Sequence, residues 1–240
     1  MRRDHRPYFI KKIWFKLLKL YVDHFLKPQL DGLGKNSYIV KPWYIEIFGG
    51  PVSIGDNITL LASSDKRTRL TVWSDKKDIP GIRIGDHVLI SPGVRISAAQ
   101  DITIGDNCMI ASGAYITDSD WHGIYDRSLP PDTAYPVRLE NNVWIGDSAI
   151  ICKGVTIGEN SIVGAGAVVS SDIPANSIAV GNPARVVKTL DPDRKIITRK
   201  DRFGDIDLIN MNLDIHEREL LKDNTIIGWL KNIVMPMDKD

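Results

Sequence analysis

Over long stretches of the chain a short aliphatic residue returns at every sixth position. From Leu139 the units read LENNVW, IGDSAI, ICKGVT, IGENSI, VGAGAV and VSSDIP, headed by Leu139, Ile145, Ile151, Ile157, Val163 and Val169. The fifth positions are Val143, Ala149, Val155, Ser161, Ala167 and Ile173, mostly small or β-branched. Upstream copies begin at Ile54, Ile84, Ile90, Ile104 and Ile110. A period of six suits neither an amphipathic helix nor a long alternating strand. It predicts short strands joined by turns, with the heading aliphatic inside and Gly-Asp or Gly-Glu at the corners. Coils of this kind stack at the ~4.8 Å spacing of paired strands. Each buries its apolar ladder only against its neighbours, so several repeats are needed. The expected fold is an all-β solenoid, a parallel β-helix. A β-sandwich with accidental spacing is opposed by six consecutive units in register.

The repeat is expected over residues 48–185, after a lead-in at 1–47 and before an extension at 186–240 that loses the period. Residues 61–83 are polar ("DKRTRLTVWSDKKDIPG") and are expected to leave the coil as an excursion. In the lead-in, Ile10, Ile13, Trp14, Leu17, Leu18, Tyr21 and Phe25 fall at helical spacing, with Lys11, Lys12, Lys16 and Lys19 largely opposite. Pro28 marks the expected end of that helix. The helix reads first as a cap on the open end of the solenoid, with a peripheral contact of residues 9–28 with an anionic membrane as the alternative. "HERELLKDNTIIGWLKNIV" also reads as helical.

Composition changes this picture little. With 240 residues, 43% hydrophobic and 25% charged, the chain can form one sizeable domain with appendages. No apolar run reaches the ~20 residues of a membrane span, and no secretory signal is evident, so a cytoplasmic location is expected. Cys108 and Cys152 read as small fillers within the repeat and do not form a metal-ligand spacing. Charge is uneven. Residues 1–27 hold eight Lys/Arg against Asp4 and Asp23, a net of +6, which leaves −5 for the remainder of a chain whose total is +1. A basic end on an acidic body does not point to nucleic acid.

The rhythm breaks at its middle, where residues 116–127 read "ITDSDWHGIYDR". Beyond the break, "NNVWIGDSAIICKGVTIGENSIVGAGAVVSSDIPANSIAVGNPARVVK" (141–188) resembles the hexapeptide-repeat acyltransferases, nearest to the maltose, galactoside and nodulation O-acetyltransferase group. With the upstream units the resemblance covers roughly residues 48–190. It implies a left-handed β-helix, a homotrimer with active sites between neighbouring subunits, and acetyl-CoA as donor, with no metal. It places coenzyme contacts at Trp144, Gly146 and Asp147 of the WIGD run, at Ala165 of GAG, and at Ser170 and Ser171, where relatives commonly carry threonine and lysine. Arg185 and Lys188 would then meet the coenzyme's phosphates, a task suited to cationic donors.

The resemblance also places a catalytic histidine in the loop after two coils, the position of His122 within the expected active-site loop at 117–138. Histidine suits a base that must take a hydroxyl proton near neutral pH. Asp118 or Asp120 is expected to support the imidazole, and spacing does not choose between them. Trp121 offers an apolar face for a sugar ring, while Tyr125 and Arg127 are expected to shape the acceptor pocket. Where the maltose and galactoside enzymes carry an acceptor-site asparagine and aspartate, this chain has Ser91 and Ala99, so a different acceptor is expected. The functional expectation is O-acetylation of a carbohydrate, either a small molecule or a lipid-linked saccharide, in the making of a surface polysaccharide. N-acetylation of an amino sugar and a non-catalytic scaffold are the alternatives. A zinc site needs about three histidines, and only His87 and His122 lie within the repeat.

Overall fold

The computed structural model describes residues 4–76, 78–129 and 134–235, and residues 130–133 of the expected active-site loop lie outside these. The chain divides into two compact units, one of residues 24–204 and one joining the N-terminal segment up to 23 with the segment from 205 onward.

The larger unit is a three-faced coil of short parallel strands. The first face stacks Gly32–Leu33, Val52–Ile54, Gly81–Ile84, Asp101–Ile104, Val137–Leu139 and Thr156–Ile157. The second stacks Tyr38–Val40, Thr59–Leu61, Leu89–Ile90, Met109–Ile110, Trp144–Ile145, Ile162–Val163 and Ser177–Val180, and Arg185–Thr189 closes it antiparallel. The third stacks Ile45–Phe48, Thr68–Val72, Arg95–Ala98, Tyr115–Thr117, Ile150–Ile151 and Val168–Val169. Heading aliphatics form the interior. Ile84, Ile104, Leu139 and Ile157 line up on the first face, Ile90, Ile110, Ile145 and Val163 on the second, and Ile96, Ile116, Ile151 and Val169 on the third, all buried. Burying each such side chain is worth ~1.5–3 kcal/mol.

The Gly-Asp-Asn signature has a physical cause at the corner between the first and second faces. Backbone N–H groups of Asp56, Asp86 and Asp106 each donate to the side chain one coil further on, that of Asp86, Asp106 and Asn141, at 2.7, 2.8 and 2.9 Å. The next residue of each corner is left-handed: Asn57, His87, Asn107, Asn142 and Asn160 have φ of 56–62°. Asparagine tolerates that region better than most residues. Asn142 donates to Asn160, and Asn160 to Asn176, each at 2.9 Å, so this corner is a ladder of side-chain amides. On earlier coils of the same corner, His87 Nε2 lies 3.4 Å from Asn57 Nδ2. Its carbonyl and Thr59 Oγ1 receive the Arg199 guanidinium.

Two sequence expectations are corrected. Residues 61–83 do not leave the coil as a whole, because Thr68–Val72 pairs parallel with Ile45–Phe48 on one side and Arg95–Ala98 on the other. Only its flanking corners are enlarged. The solenoid also begins well before residue 48, since Gly32–Leu33, Tyr38–Val40 and Ile45–Phe48 are its first coil.

In the smaller unit, α1 (Tyr8–Tyr21) lies with α3 (Ile206–Leu220). Tyr8 Oη donates to Asp214 at 2.5 Å, Lys12 and Lys11 pair with Asp214 and Glu217 at 3.2 and 2.8 Å, and Arg218 sits over the Tyr8 ring. Regular helix stops at Tyr21 and passes through a wider π-type turn, Val22–Leu26, into a 3-10 turn containing Pro28. The short α2 (Arg199–Phe203) belongs to the larger unit, and α4 (Ile226–Val234) ends the described chain. No helix among the described residues is long and apolar enough to cross a membrane.

Candidate active site

The interruption leaves the coil at the corner between the third and first faces, immediately after Thr117. Asp118 fixes its root. The side chain is completely buried, with Oδ1 accepting from the Ala99 N–H at 2.7 Å and Oδ2 from the Gln100 and Asp101 N–H groups at 2.8 Å each. Three charge-assisted bonds use both oxygens on the preceding coil. Asp118 is therefore a clasp between coils and not the partner of His122, which corrects one of the two expectations for that role. Asp120 is committed elsewhere as well, in an ion pair with Lys153 on the following coil. Lys153 also lies over the Tyr135 ring, and the Tyr135 carbonyl accepts from the Gly154 N–H, docking the loop's exit.

Trp121 turns the chain. Its φ of 70° is left-handed, a conformation costly for a bulky side chain. Two contacts hold it there: its N–H donates to Ser119 Oγ at 3.2 Å, and its indole Nε1 donates to Tyr115 Oη at 3.1 Å. Strained, over-determined backbone of this kind concentrates at functional sites. The turn places His122 on the exposed side of the loop. Its Nδ1 lies 3.0 Å from the Arg127 carbonyl oxygen. A carbonyl only accepts, so Nδ1 carries the proton and Nε2 presents a lone pair. The loop tip closes through the Gly123 N–H on the Leu129 carbonyl and through Asp126, which accepts from the Ser128 hydroxyl and N–H; these bonds hold the Asp126 carboxyl below its ordinary range. Arg127 serves the imidazole through its backbone, while its side chain and that of Tyr125 are exposed.

The residues assigned to the coenzyme lie elsewhere on the coil. Asp147, Ala165 and Arg185 border the corner between the second and third faces, and Ser170 and Ser171 occupy the same corner as His122, two coils on. Asp147, Ala165, Ser170, Ser171, Arg185 and Lys188 are all exposed, and Trp144 is 45% exposed on the second face. Gly146 has a packing reason of its own. A Cβ there would fall 2.5 Å from the Ala165 backbone nitrogen. Gly166, with φ of 66°, faces open space. Ser91 borders the Asp147 corner and so stands one face away from His122 in the same chain. Sequence reasoning missed Tyr115 and Lys153, which position the loop. Arg95, whose guanidinium covers the Tyr115 ring at 4.3 Å, was missed too. The coils on either side of Tyr115 are 20 and 35 residues long (Arg95 to Tyr115, Tyr115 to Ile150), so these stacking partners are hidden from counting by sixes.

Comparison with known proteins agrees with this architecture. Residues 136–171 match the family described as "Bacterial transferase hexapeptide (six repeats)", and residues 81–118 match "Hexapeptide repeat of succinyl-transferase". The chain is 31% identical to the galactoside O-acetyltransferase of Escherichia coli over 73% of its own length and 72% of that protein's. It is 34% identical to a probable acetyltransferase of Mycobacterium tuberculosis over 78% of its length, spanning 59% of that longer protein. An N-acyltransferase variant from Bacillus cereus, solved with dTDP and coenzyme A, superposes with a TM-score of 0.52 at 23% identity, covering 80% of this chain and 95% of that one. At that identity it shows the fold alone. The fold and the repeat define a hexapeptide-repeat transferase with a left-handed parallel β-helix. The chain belongs to the hexapeptide-repeat acyltransferase family, and it is an acetyltransferase.

Proposed function

We propose that the chain transfers an acetyl group from acetyl-CoA to a carbohydrate hydroxyl, in the making of a surface-polysaccharide precursor, with His122 as general base. The observation that carries this reading is the tautomer set by the Arg127 carbonyl, which leaves Nε2 of an exposed, loop-held imidazole free to accept a proton. Nε2 takes the hydroxyl proton as the oxygen attacks the thioester carbonyl. The C–O bond forms, the tetrahedral oxyanion collapses, the C–S bond breaks, and the imidazolium returns the proton to the departing thiolate. A positioned base contributes ~10²–10⁴ in rate.

His122 and the Asp147–Ala165 wall stand at different corners of the coil. That separation supports a homotrimer whose sites lie between neighbours, the coenzyme arm running along one subunit's wall toward the next subunit's histidine. Arg185 and Lys188 would hold its phosphates. Tyr125, Trp121 and Ser91 remain candidates for acceptor contact. A location at the inner membrane surface, with a lipid-linked acceptor, is supported by α1, where Phe9, Ile13, Trp14, Leu17 and Leu20 are exposed beside basic residues.

The test is acceptor-dependent release of CoA thiol from acetyl-CoA across a panel of sugars and amino sugars, for wild type and His122→Ala. Loss of ~10²-fold or more in the variant, with acetyl-CoA still bound, supports the assignment. Undiminished release removes His122 as base. An amino sugar as the sole acceptor converts the reading to N-transfer.

A further inference from the structure

We infer that the cleft lined by Lys66, Arg67, Arg69 and Arg95 binds a phosphate or diphosphate group carried by the acceptor, at the corner across the third face from His122. The cleft has a volume of ≈ 400 Å³, and its floor includes Gly93 and Gly113. Four cationic side chains converge on it. Glu46 balances Arg67 and Arg69, accepting from each at 2.6 Å. Asp65, also at the cleft, accepts from Ser63 at 2.7 Å. Lys66 and Arg95 make no ion pair among the described residues. Lys66 donates to Ser112 Oγ at 3.0 Å, and the Arg95 guanidinium lies over the Tyr115 ring. Arg95 is oriented by a neutral partner, which leaves its charge available, while the Lys66 charge also acts on the Asp65 carboxyl.

Arg69 and Arg95 are also direct partners across adjacent strands. Like charges in that position are destabilising, and Glu46 offsets only one of them. Breaches of local pairing rules are expected at functional sites, and here, among the described residues, the Arg95 charge is offset only by the Tyr115 ring. A bound phosphate would relieve it, and guanidinium forks match phosphate oxygens in geometry.

Position argues for the acceptor and against the donor. The corner carrying Gly93 and Gly113 continues through Ser148 to Gly166, each N–H bonding to the coil before: Gly113 to Pro92, Ser148 to Ser112, Gly166 to Asp147. This is the wall proposed for the coenzyme arm, with Arg185 at its far end and Lys188 farther along the second face. The cleft lies at the opposite end of that column. Arg95 then leads through Tyr115 to Trp121, the neighbour of His122. The identity of what bears the phosphate rests on the acetyl-transfer reading. Anion binding itself does not.

The test is calorimetric titration with inorganic pyrophosphate, uridine diphosphate and farnesyl diphosphate. Wild type and His122→Ala should bind pyrophosphate alike. The pair Lys66→Gln with Arg95→Gln should weaken it by about tenfold or more, the equivalent of ~1.4 kcal/mol, and leave acetyl-CoA affinity unchanged. Lys66→Gln alone, at an exposed side chain, should weaken it in the same direction if the pair does not fold. Preference for uridine diphosphate assigns a nucleotide-linked acceptor, and preference for farnesyl diphosphate a lipid-linked one. Absent binding overturns the inference, as does binding indifferent to Lys66 and Arg95. Loss on Arg185→Gln instead would mean that pyrophosphate occupies the donor's phosphate site. If no acceptor releases CoA, the acetyl-transfer reading fails while the pyrophosphate result still decides the cleft.

Discussion

The imidazole of His122 faces the backbone carbonyl of Arg127, five residues on, with Nδ1 3.0 Å from the oxygen. A backbone atom therefore sets the protonation pattern of the proposed base, where sequence reading expected a carboxylate. Replacing the side chain of Arg127 while keeping its carbonyl should leave the tautomer intact. Imidazole ¹⁵N shifts should report Nδ1–H and unprotonated Nε2 in both wild type and Arg127→Ala. A rise in acceptor KM without loss of kcat in that variant would assign the guanidinium to the acceptor. A changed tautomer would place the control of His122 in the side chain after all.

Asp118 separates structure from catalysis. Asp118→Ala strands the buried N–H of Asp101 and the half-buried N–H groups of Ala99 and Gln100, at ~1–3 kcal/mol for each buried group, and so should destabilise the protein by roughly 3 kcal/mol. For a unit of this size that corresponds to a fall in Tm of at least about 6 °C. Turnover per folded molecule should change far less than in His122→Ala. A loss of kcat at full stability would return Asp118 to the catalytic machinery.

Trp121 and Tyr115 hold the loop against backbone strain. Tyr115→Phe removes the acceptor of the indole N–H, at a cost of ~1 kcal/mol, and should speed proteolytic nicking of the 119–129 segment without lowering global stability. Unchanged nicking would show that the Ser119 contact suffices.

Gly146 of the WIGD run and Gly166 of GAG should respond oppositely to the usual expectation for left-handed positions. Gly166→Ala is strained by its φ, ~1–2 kcal/mol, but meets nothing. Gly146→Ala has an ordinary φ and would drive a Cβ into the Ala165 backbone. Denaturant melts should show Gly146→Ala the more destabilised, and the reverse order would mean that the coil can spread there.

Cys108 gives the pH dependence. Burial pushes its thiol up from 9.0 to about 12, and its Sγ donates to the Glu140 carbonyl at 3.1 Å. The folded protein therefore keeps a proton that the unfolded chain releases above about 9. Stability should fall as pH rises from there toward 12, and Cys108→Ser should reduce that slope. At pH 8 the native protein should react with a thiol reagent at half-buried Cys152 before Cys108.

What the sequence determined by itself is whatever repeats. One aliphatic in six is enough to specify inward strands and stacked corners, because each unit makes the same contacts as the next. The Gly-Asp-Asn corner could be read for the same reason, although the amide ladder that explains it needed coordinates. His122 was legible as the histidine in a break of a regular pattern, with the family resemblance to give it work. Tertiary structure decided everything that depends on coil length. Thr68–Val72 and the first coil were obscured by enlarged or irregular corners. Arg69, Arg95 and Tyr115 become stacked neighbours across 26 and 20 residues, spacings that no multiple of six predicts. Asp118 and Asp120 look equivalent in sequence, two residues apart. The fold sends one inward to the coil before and the other outward to Lys153 on the coil after, because the loop turns between them.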